Sequence, residues 1–205
     1  MLKLYFSPGS CARASHIALE EVGTPYHAEK ISLADNQQRS PEFLEINPKG
    51  RVPALVTPQG ILTESTAILA YIAQRHPEAK LAPTDPFEFA QAQSFNSYIS
   101  STVHVAHAHK FRGSRWADDP VAIEAMKAKV PDSVGAAFAL IEDGMLKGPW
   151  VLGDQYSICD AYLFTVSSWL EGDGVDLSKL PRVMEHRQRV AERPATMSVL
   201  HAEKV

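Results

Sequence analysis

Up to residue 77, short apolar runs alternate with stretches whose apolar positions recur at helical spacing. Leu2 to Phe6 reads as a strand. Cys11 to Val22 reads as a helix in which Ala14, Ile17, Ala18 and Glu21 share a largely apolar face, and Gly23-Thr24-Pro25 stops it. Tyr26 to Leu33 is a second strand. Ser40-Pro41 caps and opens a second helix, and Asn47-Pro48-Lys49-Gly50 is a turn. Val52 to Val56 and Ile61-Leu62 form a hairpin around Pro58-Gln59-Gly60. Thr63 or Glu64 then opens a helix through Ile68, Leu69, Tyr71 and Ile72. The order is β-α-β-α-β-β-α, a parallel β-α-β unit extended by an antiparallel hairpin.

The grammar changes after Pro77. Three prolines, Pro77, Pro83 and Pro86, mark residues 78–86 as a linker. From Phe87 the pattern is helical, broken by turns near Gly113–Pro120, Gly144–Gly153 and Gly172–Pro181. The expected architecture is an α/β domain over 1–77 and an all-helical domain over 87–205.

Length and composition narrow the class. The 205 residues are 45% hydrophobic and 21% charged, enough to bury a core without disulfides. The net charge is −4 and no run of Lys or Arg appears, so nucleic acid is not an expected partner. Arg182, Arg187, Arg189 and Arg193 are interleaved with Glu185 and Glu192, as on a solvated helix face. The first residues lack a signal-peptide pattern and no apolar run approaches ~18–20 residues, so no membrane association and a cytoplasmic location are expected. The two cysteines, Cys11 and Cys159, fit a reducing compartment in which they stay unpaired.

Several stretches carry candidate chemistry. Cys11 follows the Ser7-Pro8-Gly9-Ser10 turn at a helix start, where free N–H groups and the positive dipole end favour a thiolate. A helix end contributes ~0.3–1 kcal/mol, so lowering its pKa needs further donors or a cation; Ser10, Arg13 and His16 are near in sequence. A buried structural cysteine is the competing reading. Val52-Pro53 opens a strand; a cis bond there turns the Val52 backbone outward, where it can pair with an extended peptide, whereas a trans proline at a strand edge carries no such role. Glu64 and Ser65 open a helix, an arrangement that suits either the two charges of an amino-acid head group or simple capping. His104, His107 and His109 read as a metal-ligand pair or as a polar helix face with one donor, and no carboxylate at ligand spacing supports the metal. Ser157 and Asp160 form a capping-box pattern assigned to folding, with Cys159 inert inside it. A thiol, an outward backbone pair and a zwitterion-binding helix end together describe a site for glutathione.

Those motifs resemble the glutathione S-transferases, and in particular the bacterial beta class. The resemblance rests on the order of Pro8-Gly9-Ser10-Cys11, Asn47-Pro48-Lys49-Gly50-Arg51-Val52-Pro53-Ala54-Leu55, Leu62-Thr63-Glu64-Ser65 and Asp160-Ala161-Tyr162-Leu163-Phe164-Thr165, and it covers essentially the whole chain. It implies a thioredoxin-like N-terminal domain, an all-α C-terminal domain with the electrophile pocket, and a homodimer. By position, Cys11, with Ser10 beside it, matches the cysteine near the glutathione sulfur. Val52 and the cis-proline Pro53 match the peptide-pairing residues, Glu64 and Ser65 the γ-glutamyl binders, and His104 the histidine near the thiol. Asp35, Val105 and Ser97 stand where the class tends to place a lysine, a lysine and an asparagine that crosses the dimer. Arg51, Lys49 and Lys110 are the candidates to replace the missing cations. The activity implied is conjugation of glutathione to small hydrophobic electrophiles, in a pocket around Tyr98 to Phe111, Trp116 and Trp169. The alternatives are glutathione-dependent disulfide reduction or peroxidase chemistry through Cys11, or ligand binding without catalysis.

Overall fold

The computed structural model describes residues 1–204. A four-stranded sheet is built from β1 (Leu2–Phe6), β2 (Tyr26–Lys30), β3 (Ala54–Thr57) and β4 (Gly60–Thr63), in the order β2-β1-β3-β4. β1 pairs with β2 in parallel and with β3 antiparallel; β3 and β4 form the hairpin. The helices of this half are α1 (Ala12–Val22), α2 (Pro41–Ile46) and α3 (Ser65–Arg75). The rest of the chain is helical: α4 (Pro86–Tyr98), α5 (His104–Arg112), α6 (Pro120–Ala128), α7 (Val130–Leu140), α8 (Ile158–Ser167), α9 (Leu170–Asp173), α10 (Pro181–Ala191) and α11 (Pro194–Ala202). A thioredoxin-like α/β half is thus joined to an all-helical half, the architecture that the resemblance implies.

Local chemistry explains the boundaries. Gly23 takes φ +64 and closes α1, a left-handed position that glycine accepts without Cβ strain. Ser40 Oγ accepts the Phe43 N–H at 3.2 Å and Pro41 opens α2. β2 is shorter than its apolar run suggests, because the chain leaves the sheet after Lys30 into a polar turn. α3 begins at Ser65, with Glu64, one of the two expected starts, as its N-cap. The Val52–Pro53 bond is cis, and β3 begins only at Ala54, so Val52 stands outside the ladder. Two turns are π-helical with no sequence signal for it, Ile99–Val103, which runs straight into α5, and Ile141–Met145, which follows α7.

α1 shows how the halves are fused. The sequence places one apolar face on it, yet every residue from Ala14 to Leu19 is buried. Its small residues, Ala12, Ala14, Ser15 and Ala18, allow α3, α8 and α11 to approach closely. One apolar cluster therefore runs from Leu4 and Leu55 of the sheet through Leu69 to Phe95, Phe138 and Tyr162 of the helical half, and a second joins Ile17 to Ala161, Phe164, Val190 and Val199. α8 is buried along its whole length.

The start of α8 is a buried polar anchor of that core. The capping box of Ser157 and Asp160 is formed. Asp160 Oδ2 accepts the Ser157 N–H at 2.7 Å, and Oδ1 accepts the Val151 N–H at 2.7 Å with His186 Nε2 at 2.9 Å. Both side chains of the Asp160–His186 pair are fully buried. Cys159 donates to the Ala92 carbonyl at 3.4 Å, and burial pushes its thiol well up, consistent with an inert role. Asp160→Ala removes one partner of a buried pair and orphans two amides. It should lower unfolding stability by about 3–5 kcal/mol, read as a drop in the urea midpoint.

Candidate active site

The loop between β1 and α1 crosses the foot of a cleft between the halves, with a volume of about 880 Å³. Gly9 makes the turn at φ +69. Its N–H donates to Glu203 Oε2 at 3.1 Å, and its carbonyl accepts the Trp169 indole N–H at 2.8 Å. Arg13 binds the same Glu203 oxygen, Nη2 at 2.6 Å, and reaches Ser168 Oγ at 3.0 Å. The chemistry-bearing loop is therefore held by two side chains from the last third of the chain, Glu203 and Trp169, with Arg13 and Ser168 bracing the first of them.

The cleft lining includes Ser10, Cys11, Val52, Pro53, Glu64, Ser65 and His104. Ser97 is apart from these; it is exposed on α4 and does not line the cleft. Ser10 Oγ donates to the Ser7 carbonyl at 2.7 Å and accepts the Ala12 N–H at 3.3 Å, so its hydroxyl is engaged in shaping the turn.

Cys11 stands at the N-cap of α1, as its sequence position implies, but its electrostatics differ from the expectation. Burial pushes the thiol up, and this outweighs the opposing pull of the Ser65 hydroxyl and the Arg112 charge. The helix end alone is too weak to reverse such desolvation. The thiol remains protonated and donates to the Val52 carbonyl at 3.5 Å. Tyr162, from α8, lies at the same spot; its phenol is also driven up by burial and interacts with Cys11 and Ser65.

Glu64 takes φ +73 without being glycine, a conformation costing roughly 1–3 kcal/mol. It precedes Ser65, the first residue of α3, whose leading amides have no helical acceptor. Lys49 Nζ bridges the Glu64 carboxylate and Thr63 Oγ1.

On the opposite wall the histidines divide their work. His107 Nδ1 lies 2.8 Å from Asp173 Oδ2, and its ring stacks on Trp169 with centroids 4.3 Å apart. His109 packs edge-on to Trp116. Among the described residues no group of three His, Cys, Asp or Glu side chains is placed to hold a metal. His104 makes no side-chain hydrogen bond among the described residues and faces the cleft. Its pKa falls to about 4, first through burial and then through the charges of His107, Arg112, Arg115 and Arg51.

The cations of the cleft differ from the expected set. Of the three proposed replacements, Lys49 is committed to Glu64, and Lys110 is drawn to Asp173 and the Gly172 carbonyl. Arg51 does line the cleft, joined by Arg39, Arg112 and Arg115. Arg112 ends α5 and Arg115 lies in the turn that follows, and no local pattern marks either as a neighbour of Arg39 and Arg51. Tyr98 is also displaced from expectation, its hydroxyl donating to the Ala137 carbonyl at 3.0 Å rather than facing the cleft.

With this geometry in hand, the comparisons with known proteins give the class. The glutathione S-transferase N-terminal domain model matches residues 1–74 and the C-terminal domain model residues 99–194. The chain belongs to the glutathione S-transferase family. A glutathione transferase homologue from Sulfitobacter, crystallised with bound glutathione, is 45% identical over 100% of this chain and 99% of that one, with a TM-score of 0.96. Glutathione S-transferase GstA of Escherichia coli O157:H7 is 31% identical over 98% of both chains. The bacterial beta class enzyme of Sphingomonas chungbukensis is 35% identical over 98% of both, with a TM-score of 0.85. Other relatives bear the names maleylacetoacetate isomerase and disulfide-bond oxidoreductase. The family uses glutathione as co-substrate, and the residues present fit it: a Val52 backbone outside the sheet ladder whose carbonyl holds only the Cys11 thiol, a helix start beside a carboxylate, and cations for a carboxylate.

Two outcomes follow from the site. Between pH 6.5 and about 4 the unfolded chain protonates His104 while the folded chain resists. That group's contribution to stability is therefore complete above pH 6.5 and declines as pH falls toward 4. Urea titrations of His104→Gln should show a shallower loss of stability across that window than the parent. Glu203→Gln should speed hydrogen exchange at the Gly9 amide by about tenfold or more, since a charge-assisted bond of ~1.5–3 kcal/mol is weakened.

Proposed function

We propose that this chain is a glutathione transferase that conjugates the glutathione thiolate to small hydrophobic electrophiles, as a cytoplasmic homodimer with a detoxifying role. The observation that carries the reading is the meeting of two neutral donors, Cys11 and His104, from opposite walls of one cleft. When bound, glutathione supplies the sulfur that forms the new C–S bond, while a halide leaves with its electron pair and the thiol proton goes to water. Val52 offers main-chain pairing to a peptide, and Ser65 with the first amides of α3 holds a carboxylate. Glu64 suits the ammonium beside it. Ser10 shapes the turn that presents Cys11.

The magnitudes are adequate. A hydrogen bond to a charged sulfur is worth about 1.5–3 kcal/mol, or roughly one to two pKa units. One donor from Cys11 and one from His104 bring an ordinary thiol of ~8.5 into the range where thiolate predominates near neutrality. A protonated Cys11 suits donation better than attack, which favours conjugation over disulfide chemistry. Ser97 faces solvent on α4, where a second copy of the chain could receive it.

Cys11→Ala should lower kcat/KM for glutathione conjugation to 1-chloro-2,4-dinitrobenzene at pH 6.5 by about tenfold without abolishing it. Complete loss, together with turnover of a glutathione mixed disulfide by the parent, would instead assign Cys11 as a nucleophile. Sedimentation should give twice the mass of the chain.

A further inference from the structure

The charge of the cleft is lopsided. In a chain of net charge −4, Arg39, Arg51, Arg112 and Arg115 line it against one acid, Glu64. Lys49 already balances Glu64. None of the four guanidiniums has a side-chain hydrogen bond or ion pair among the described residues. They also act on one another: Arg115 is disfavoured as a cation first by partial burial and then by Arg112, Arg51 and Arg39. Such repulsion, uncompensated within the protein, is relieved by an anionic ligand.

Glutathione supplies too little of it. Its γ-glutamyl carboxylate comes with its own ammonium and is accommodated at Glu64 and Ser65. Its glycyl carboxylate can neutralise one cation, and Arg51 and Arg39 lie on the same wall as Val52. Arg112 and Arg115 belong to the opposite wall, at the end of α5 and just beyond it. Beside them Phe111 and Trp116 line the same cleft, the residues 75% and 47% exposed. An apolar platform next to two spare cations defines a ligand that is aromatic at one end and anionic at the other.

We propose that the acceptor half of the cleft selects an aromatic electrophile bearing a carboxylate, its ring on Phe111 and Trp116 and its anion against Arg112 and Arg115. This rests on the conjugation reading for its chemistry, but the binding preference can be measured without turnover. In the reaction the glutathione sulfur bonds to the ring carbon, chloride leaves with its electron pair, and the thiol proton goes to water. The carboxylate is a handle and is unchanged.

The test is calorimetric titration of the protein, saturated with glutathione, using 3,5-dinitrobenzoate and its methyl ester as unreactive probes. The anion should bind at least about tenfold tighter at 50 mM salt, and the preference should shrink severalfold at 500 mM, where exposed charges are screened. Arg112→Gln with Arg115→Gln should reduce it to within about twofold, and the paired Lys variants should keep most of it. The kcat/KM ratio of 4-chloro-3,5-dinitrobenzoate to its methyl ester should follow the binding ratio. Equal binding of the two probes, or a preference that survives the Gln pair, overturns the proposal. If the Gln pair does not fold, a salt-insensitive preference in the parent overturns it equally. Turnover of the ester with no preference for the acid leaves conjugation standing and removes this inference. Absence of glutathione binding removes the conjugation reading, and the two probes, titrated alone, still decide the anion preference.

Discussion

The site depends on the clamp at Gly9. A loop that brings a thiol to the edge of a cleft cannot pair its own backbone groups in regular structure, and they need partners from elsewhere. Here Glu203 takes the Gly9 N–H and Trp169 supplies the Gly9 carbonyl with a donor, while Arg13 neutralises Glu203. The Arg13 and Glu203 side chains are only 12% and 5% exposed. Removing either would strand a charge in a poorly solvated place. The geometry of a loop near the start of the chain is thus set by residues near its other end. The two halves cannot shift relative to each other without disturbing Cys11.

The same fusion governs the electrostatics. Because α1 is enclosed by α3, α8 and α11, its N-terminal cap is desolvated by the helical half, with Tyr162 of α8 against it. Desolvation acts on the charged form of a thiol and of an imidazole alike, raising Cys11 and lowering His104. Both effects give a neutral group that retains a proton to donate. A cysteine at a helix start is readily taken as a nucleophile, but the enclosing helices shift its competence toward hydrogen bonding.

What was legible in the sequence and what was not divides along physical lines. Local rules identified the strands, Gly23, Ser40 and the Ser157–Asp160 box, because these depend on residues a few positions apart. The fold class followed from the change in period after Pro77. The Val52–Pro53 geometry and the gathering of Cys11, Val52, Glu64, Ser65 and His104 were expected from motif order. Distances between elements were not legible. Nothing in the sequence of Arg39, Arg51, Arg112 and Arg115 marks them as neighbours, since they come from a polar turn, a loop, a helix end and the turn after it. The protonated state of Cys11 was likewise hidden, because it is set by helices far along the chain. Lys49 and Lys110 looked equally able to serve as ligand cations until their carboxylate partners were placed.

Committed and uncommitted charges also explain why the cleft can be both a binding site and a stable structure. Lys49 and Lys110 are paired within the protein, and His107 is fixed by Asp173 and Trp169. Those groups hold walls in place. Arg39, Arg51 and Arg115 are exposed and Arg112 half-buried, so water screens their repulsion while the cleft is open. An anion entering between them displaces that water and gains from every unpaired guanidinium it reaches. Because Arg112 also lowers the His104 pKa and opposes the burial of Cys11, neutralising it acts on both donors at once. An anion held there makes His104 easier to protonate and the Cys11 thiolate harder to form. Acceptor binding and the proton inventory of the thiol site are therefore coupled through one side chain, whose neutralisation makes the Cys11 thiolate costlier and the His104 imidazolium cheaper.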